Sequence, residues 1–329
     1  HNPRNFAPSK DKKGMFSATA EAAGGICIRS RHAKHKEMPP MFNHNKSKME
    51  KRLIAAGALA CMLGTGVQAQ TKGAEAPKGE AIVQVFTNFH SGFGKENDKR
   101  GFDLERSYLG YKYDLGNGLS VKGVMDIGQS NDVNDYQRIA YIKNAMLTWK
   151  TGKWTVNGGL ISTTQFNLAE KLWGFRYVQK SFQDQYKFGS SADLGVSAAW
   201  KANEWLSADA IVVNGEGYKK VQVEDGLLYG VGATLTPVKG LNVRLYASIN
   251  EQPADGKKDV MNYSAFAGYK ADAFSLGAEY DVMTNTSGAD GHDQYGFSVY
   301  GSVKVDKNAE VFARFDDLSS KDDWNKKKD

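Results

Sequence analysis

Residues 119–128, LSVKGVMDIG, alternate. Successive side chains of a β-strand point to opposite faces. Leu119, Val121, Gly123, Met125 and Ile127 therefore share one side, and Ser120, Lys122, Val124, Asp126 and Gly128 the other. Alternation by itself does not say whether the apolar side meets a protein core or something else. Val124 is the residue that fits the polar side least well.

The same pattern recurs on both sides of this stretch. It predicts thirteen strands, at 82–89, 102–113, 119–128, 139–149, 153–161, 192–200, 205–214, 226–236, 241–250, 260–270, 274–283, 295–304 and 309–316. Leu241, Val243, Leu245, Ala247 and Ile249 oppose Asn242, Arg244, Tyr246, Ser248 and Asn250. Phe274, Leu276, Ala278, Tyr280 and Val282 oppose Ser275, Gly277, Glu279 and Asp281. No window carries a helical period longer than a turn or two.

The connectors alternate in length. Those at 114–118, 150–152, 201–204, 237–240, 271–273 and 305–308 have three to five residues rich in Gly, Pro, Asn, Asp and Lys. Those at 90–101, 129–138, 162–191, 215–225, 251–259 and 284–294 have nine to thirty, polar and charged. Short turns at one end and long loops at the other describe an up-and-down antiparallel meander, with strands long enough to cross a bilayer at a tilt.

Residues 49–70, MEKRLIAAGALACMLGTGVQAQ, supply the context. Lys51 and Arg52 precede an apolar run of eleven, Leu53–Leu63, and Val67-Gln68-Ala69 is a small-x-small cleavage site. This is the pattern of a secretory signal peptide over 49–69, cut between Ala69 and Gln70; the run is too short for a spanning helix. Residues 1–48 carry no periodicity and are set aside as an upstream segment, and 70–81 read as a short periplasmic leader.

Export changes the meaning of the alternation. In a soluble barrel the charged sets face out; in a membrane barrel the apolar sets face lipid and the charged sets an aqueous lumen. Trp149, Trp154, Trp200, Trp205 and Phe274 flank short turns, where an interfacial girdle would lie, although any one of them could be a core aromatic. The expected fold is an all-β, transmembrane, antiparallel up-and-down β-barrel over 82–329. Thirteen is odd, whereas bacterial barrels close on an even count, and the chain ends on the loop-like KDDWNKKKD. One to five further strands are expected beyond residue 329.

Net charge first suggests nucleic acid, then dismisses it. Of the 43 Lys and Arg and 37 Asp and Glu, 12 and 4 precede residue 70, so the leading part is +8 and the rest is −2. Both cysteines, Cys27 and Cys61, lie in the leading part too. The body therefore has no disulfide framework or thiol chemistry. His90 and His292 fall in expected outer loops without partners, and no nucleophile elbow, phosphate loop or dinucleotide fingerprint occurs. No enzyme, metal or cofactor is expected.

The most informative connector is 162–191, STTQFNLAEKLWGFRYVQKSFQDQYKFGSS. It mixes Glu170 and Asp184 with Lys171, Arg176, Lys180 and Lys187, and carries seven aromatics: Phe166, Trp173, Phe175, Tyr177, Phe182, Tyr186 and Phe188. A loop that met only water would not need them. One reading folds it into the barrel as a constriction whose charges set ion selectivity. The other leaves it outside, packed on its neighbours or receiving a partner. By strand parity, further lumen candidates are Lys122, Asp126, Arg244, Glu279, Asp281, Lys304, Arg314 and Asp316.

The segments GFDLERSYLGYKYDLGNGLSVKGVMDIG, KNAMLTWKTGKWTVNGGLISTTQFNL and SADLGVSAAWKANEWLSADAIVVNGEGY resemble the Bacteroidetes porin group related to phosphate-selective porins O and P. The likeness covers about residues 100–250, with Asp-Leu-Gly-Val followed one hairpin later by Asn-Gly-Glu-Gly. It implies a general or anion-preferring diffusion pore, a homotrimer, and about sixteen strands in the full protein. Where that group often carries a Pro after the Gly-rich strand, this chain has Thr163-Thr164-Gln165-Phe166, so phosphate selectivity does not carry over.

The expectation is a bacterial outer-membrane porin for passive diffusion of small hydrophilic solutes or ions. Its partners would be outer-membrane lipid, lipopolysaccharide and the barrel assembly machinery. The alternative is a barrel that acts as a surface adhesin or receptor through its long loops.

Overall fold

The computed structural model describes residues 78–91, 100–130, 133, 137–220, 222 and 225–325. Segment 1–48, the signal peptide at 49–69 with its Ala69–Gln70 cleavage, and both cysteines lie outside the described residues.

Among the described residues thirteen strands form one antiparallel sheet in sequence order. They are β1 (Gly79–Ser91), β2 (Arg100–Gly116), β3 (Leu119–Gly128), β4 (Ile139–Thr151), β5 (Trp154–Ser162), β6 (Ala192–Lys201), β7 (Leu206–Val213), β8 (Leu228–Leu235), β9 (Leu241–Asn250), β10 (Val260–Lys270), β11 (Phe274–Thr284), β12 (Gln294–Asp306) and β13 (Ala309–Ser320). Each expected strand is present. The β2–β3 turn shows why the short connectors work: Asn117 and Gly118 both adopt positive φ, 52° and 78°, the twist that a two-residue hairpin requires.

Two expectations need correction. The leader expected to run to residue 81 gives way earlier, because Gly79, Glu80 and Ala81 already pair with Tyr113, Lys112 and Tyr111. The ladder uses backbone groups, so a polar stretch extends it as readily as an apolar one. For the same reason His90 lies in β1 rather than in a loop, opposite Gly101, with Nδ1 3.5 Å from Asp103. The connector 162–191 holds two short helices, α1 (Asn167–Trp173) and α2 (Phe182–Gln185). Good helix formers build α1, and Gly174, with φ of 70°, ends it by donating its N–H to Glu170 O.

The sheet curls strongly. Across the eleven steps from β2 to β13 a flat sheet would separate the strands by roughly 50 Å. Yet Arg176 Nη2 donates to Tyr108 on β2 at 3.2 Å, while Lys180 O accepts from Arg314 on β13 at 2.5 Å. Those connector residues are only four apart, a span of at most about 14 Å. β2 and β13 thus approach each other around the connector, and the wall takes the curvature of an up-and-down barrel.

The polarity of this wall is inverted. Leu245 and Val231 are each 60 % exposed, on the outward face, whereas Asp126 and Asp281 are 1 % exposed and Ser298 0 % on the inward one. Val124, the apolar exception, faces inward and is buried because it covers Gly110, its register partner. A Cβ on Gly110 would lie 2.9 Å from a Val124 methyl, so the missing side chain makes the room that Val124 fills.

Candidate functional site

The connector 162–191 lies against the inward face. Trp173 and Phe175 pack with Phe266 of β10 and Tyr300 of β12, and Phe182 and Phe188 with Val260, Met283 and Leu318. Phe175 stacks on Phe312 of β13 at 4.1 Å between ring centroids. Phe166 is buried as well, while Tyr177 stays exposed. Burying such rings, at about 25 cal/mol per Å² of apolar area, explains why a connector this rich in aromatics does not stand off in water.

Its polar groups are pinned at two places. At its start, Arg244 of β9 donates to Thr164 O at 2.8 Å and grips both oxygens of Asp209 of β7, at 2.7 and 2.9 Å. In its second half, Gln183 donates to Ser264 at 3.0 Å and to Glu279 at 3.2 Å, and accepts from Gln165 at 2.9 Å. On the far side Arg314 pairs with Asp316 at 2.6 Å and lies 5.0 Å above the Trp173 ring.

Charge gathers on the opposite flank. Lys143, Arg176 and Arg106 all donate to the single hydroxyl oxygen of Tyr108, at 3.1, 3.2 and 3.3 Å. Arg106 also pairs with Asp126 at 3.1 Å, and Tyr218 donates its hydroxyl to the same carboxylate. Arg176 pairs with Asp184 at 2.5 Å and Glu170 at 3.4 Å; Lys180 reaches Asp184 at 3.7 Å and Lys219 reaches Asp126 at 4.0 Å. Five cationic groups thus meet three carboxylates.

The surroundings bias these groups. Burial works against the Asp184 charge, but Arg176 and Lys180 outweigh it and hold the carboxyl below its ordinary value. Burial pushes the Lys180 and Lys219 ammonium groups down, against the pull of Asp184 and Asp126 and with help from neighbouring arginines. Burial and the bond to Asp126 push the Tyr218 hydroxyl up.

The architecture has known counterparts. No protein-family model matches the sequence, and no curated protein does. Among solved structures the chain is similar to the outer-membrane channel DcaP of Acinetobacter baumannii, at 13 % identity and a TM-score of 0.50 over 74 % of this chain and 80 % of that one. OprB of Pseudomonas putida matches at 13 % identity over 68 % and 74 %, TM-score 0.48. An anion-selective porin from Comamonas acidovorans matches at 14 % over 74 % and 90 %, TM-score 0.42. At such identities the likeness to DcaP speaks for the fold alone: an antiparallel up-and-down barrel wall.

Of the residues picked out by sequence, Glu170, Arg176, Lys180, Asp184 and Asp126 come together around Tyr108. Arg244, Glu279, Asp281, Arg314 and Asp316 line the part of the inward wall on which the connector rests. Lys122 is half-buried, opposite Lys112 and Met146. Lys171, Lys187 and Lys304 are exposed and form no ion pair among the described residues.

Tyr108, Arg106, Lys143, Asp209, Tyr218 and Lys219 escaped the sequence reading. Arg106 and Tyr108 share a face at a spacing of two and could have been found by parity. Lys143 could not. The β3–β4 register slips there, Val124 facing Asn144 and Met125 facing Ile142, so Lys143 is the extra residue of a bulge and breaks the alternation.

Proposed function

We propose that this chain is a passive diffusion pore of the bacterial outer membrane, with the apolar outer face in lipid and the polar inner face around water. The observation that carries the reading is the inverted wall: buried Asp126, Asp281 and Ser298 inside, and Leu245 and Val231 exposed outside. In water such an exterior would drive association; in lipid it is the low-energy arrangement. Trp149, Trp154, Trp200 and Trp205 are exposed on the outside near the short turns, with Trp154 and Trp200 stacked at 6.2 Å, where the membrane interface would fall.

In this reading 49–69 directs export, and lipid, lipopolysaccharide, the assembly machinery and a homotrimeric arrangement are the partners. The folded-in connector narrows the lumen, and the excess of cations around Tyr108 tilts passage at that level towards anions. Solutes cross by diffusion, without a covalent step. A surface adhesin would need its largest loop outside, and 162–191 rests on the inner wall. Planar-bilayer recording on refolded protein tests the proposal: stepwise ohmic conductance is expected, and well-folded material that never produces steps would overturn it.

A further inference from the structure

β11 places Glu279 and Asp281 two residues apart on the inward face, 4 % and 1 % exposed. Neither joins an ion pair among the described residues. Arg314 lies within electrostatic reach of Glu279, but it is committed to both oxygens of Asp316, at 2.7 and 2.6 Å, and to Lys180 O. Glu279 Oε2 accepts from Gln183, and the Ser264 hydroxyl lies within reach of Asp281; among the described residues Glu279 Oε1 and both oxygens of Asp281 accept no other hydrogen bond of normal geometry. Two adjacent carboxylates buried in this way must be neutralised, by protons or by a bound cation.

Neutral hydroxyls stand across from the pair. Ser298 on β12 stands opposite Glu279, is 0 % exposed, and its Oγ has no partner among the described residues. Ser264 on β10 stands opposite Asp281. The donor set is all oxygen, with no thiolate or imidazole, which selects a hard cation. Among the described residues no three His, Cys, Asp or Glu side chains converge, so two carboxylates must suffice, completed by neutral oxygens and water.

We propose that Glu279 and Asp281 hold a divalent cation of the calcium class, with Ser298 as a neutral ligand and water completing the shell. The site sits where the connector meets the wall. Gln183 of α2 bonds Glu279, and the Phe182 ring lies over Gly296, the register partner of Asp281. A bound cation would therefore fasten the connector in place.

The test uses the folded full chain in detergent, stripped with a chelator, and titrates calcium chloride and then magnesium chloride by calorimetry, with thermal unfolding alongside. One saturable calcium site and a raised Tm are expected. Asp281→Asn and Glu279→Gln should each weaken binding by about tenfold or more, since carboxylate charge sets the affinity of such sites. Wild-type protein without saturable binding, or binding unchanged in both variants, overturns the proposal. So does a Tm that rises on acidification and ignores calcium, because protons would then neutralise the pair. If Asp281→Asn fails to fold, the wild-type titration and Glu279→Gln decide. None of these readouts involves conductance, so the pore reading and this site can fail separately.

Discussion

Arg244 and Asp209 form a two-pronged ion pair on the inner wall, 2.7 and 2.9 Å, between strands two places apart in the sheet. The guanidinium also donates to the carbonyls of Thr164 and Gln165, at 2.8 and 3.4 Å. One side chain thus ties β7, β9 and the start of the connector together. Arg244→Met would leave Asp209 charged, largely buried and unpaired. Unfolding in urea should show a loss of about 3 kcal/mol, and Asp209→Asn added to it should restore much of that loss.

Asp193 explains why the Asp-Leu-Gly-Val and Asn-Gly-Glu-Gly motifs occur together. Its carboxylate accepts the N–H groups of Gly215 at 2.8 Å and Gly217 at 3.1 Å, across the β6–β7 hairpin. Both glycines have positive φ, 101° and 84°. Asp193→Ala would strip three backbone donors, Leu194, Gly215 and Gly217, of their acceptor, with an expected loss of about 1–3 kcal/mol in the same assay. Gly217→Val should also destabilise, because a β-branched residue is strained at that φ.

Asp184 gives stability a pH dependence. Its carboxyl is held below the ordinary value of 3.8 by Arg176 and Lys180 against burial. A carboxylate with a depressed folded value contributes in full above its unfolded value and loses that contribution as pH falls through the folded one. The stability gap between wild type and Asp184→Asn should therefore be constant near neutrality and shrink below about pH 4. A gap that widens on acidification would contradict this assignment.

Leu245→Arg tests what the outer face meets. An exposed leucine on a soluble protein tolerates the change within about 0.5 kcal/mol. Facing the middle of a bilayer, the same change costs about 2–4 kcal/mol. Reversible unfolding from lipid vesicles separates the two, and the larger loss is expected.

Arg176→Glu together with Lys180→Glu reverses the sign of two charges beside Tyr108. If these groups line the passage, the reversal potential in a salt gradient should move towards cation preference. An unchanged potential would place the ion path elsewhere.

Much of this architecture could be read from the chain alone. Alternation in β3, from Leu119 to Gly128, set which residues share a face, and the Asn117-Gly118 turn set where the strand begins. The lengths of the connectors ordered the meander, and the aromatics of 162–191 marked the connector that differs. All of these depend on residues one or two positions apart, or on the composition of a short segment, and such information is local. Only the tertiary structure decided what meets what. Tyr108 and Arg176 are 68 residues apart, and Arg314 and Lys180 are 134 apart. Their meeting depends on curvature accumulated over a dozen strand pairs and on bulges such as the one at Lys143, which no local pattern encodes. The alternation named Asp126, Glu279 and Asp281 as one-sided; the curl of the sheet turned that side inward, where their buried charges must find partners.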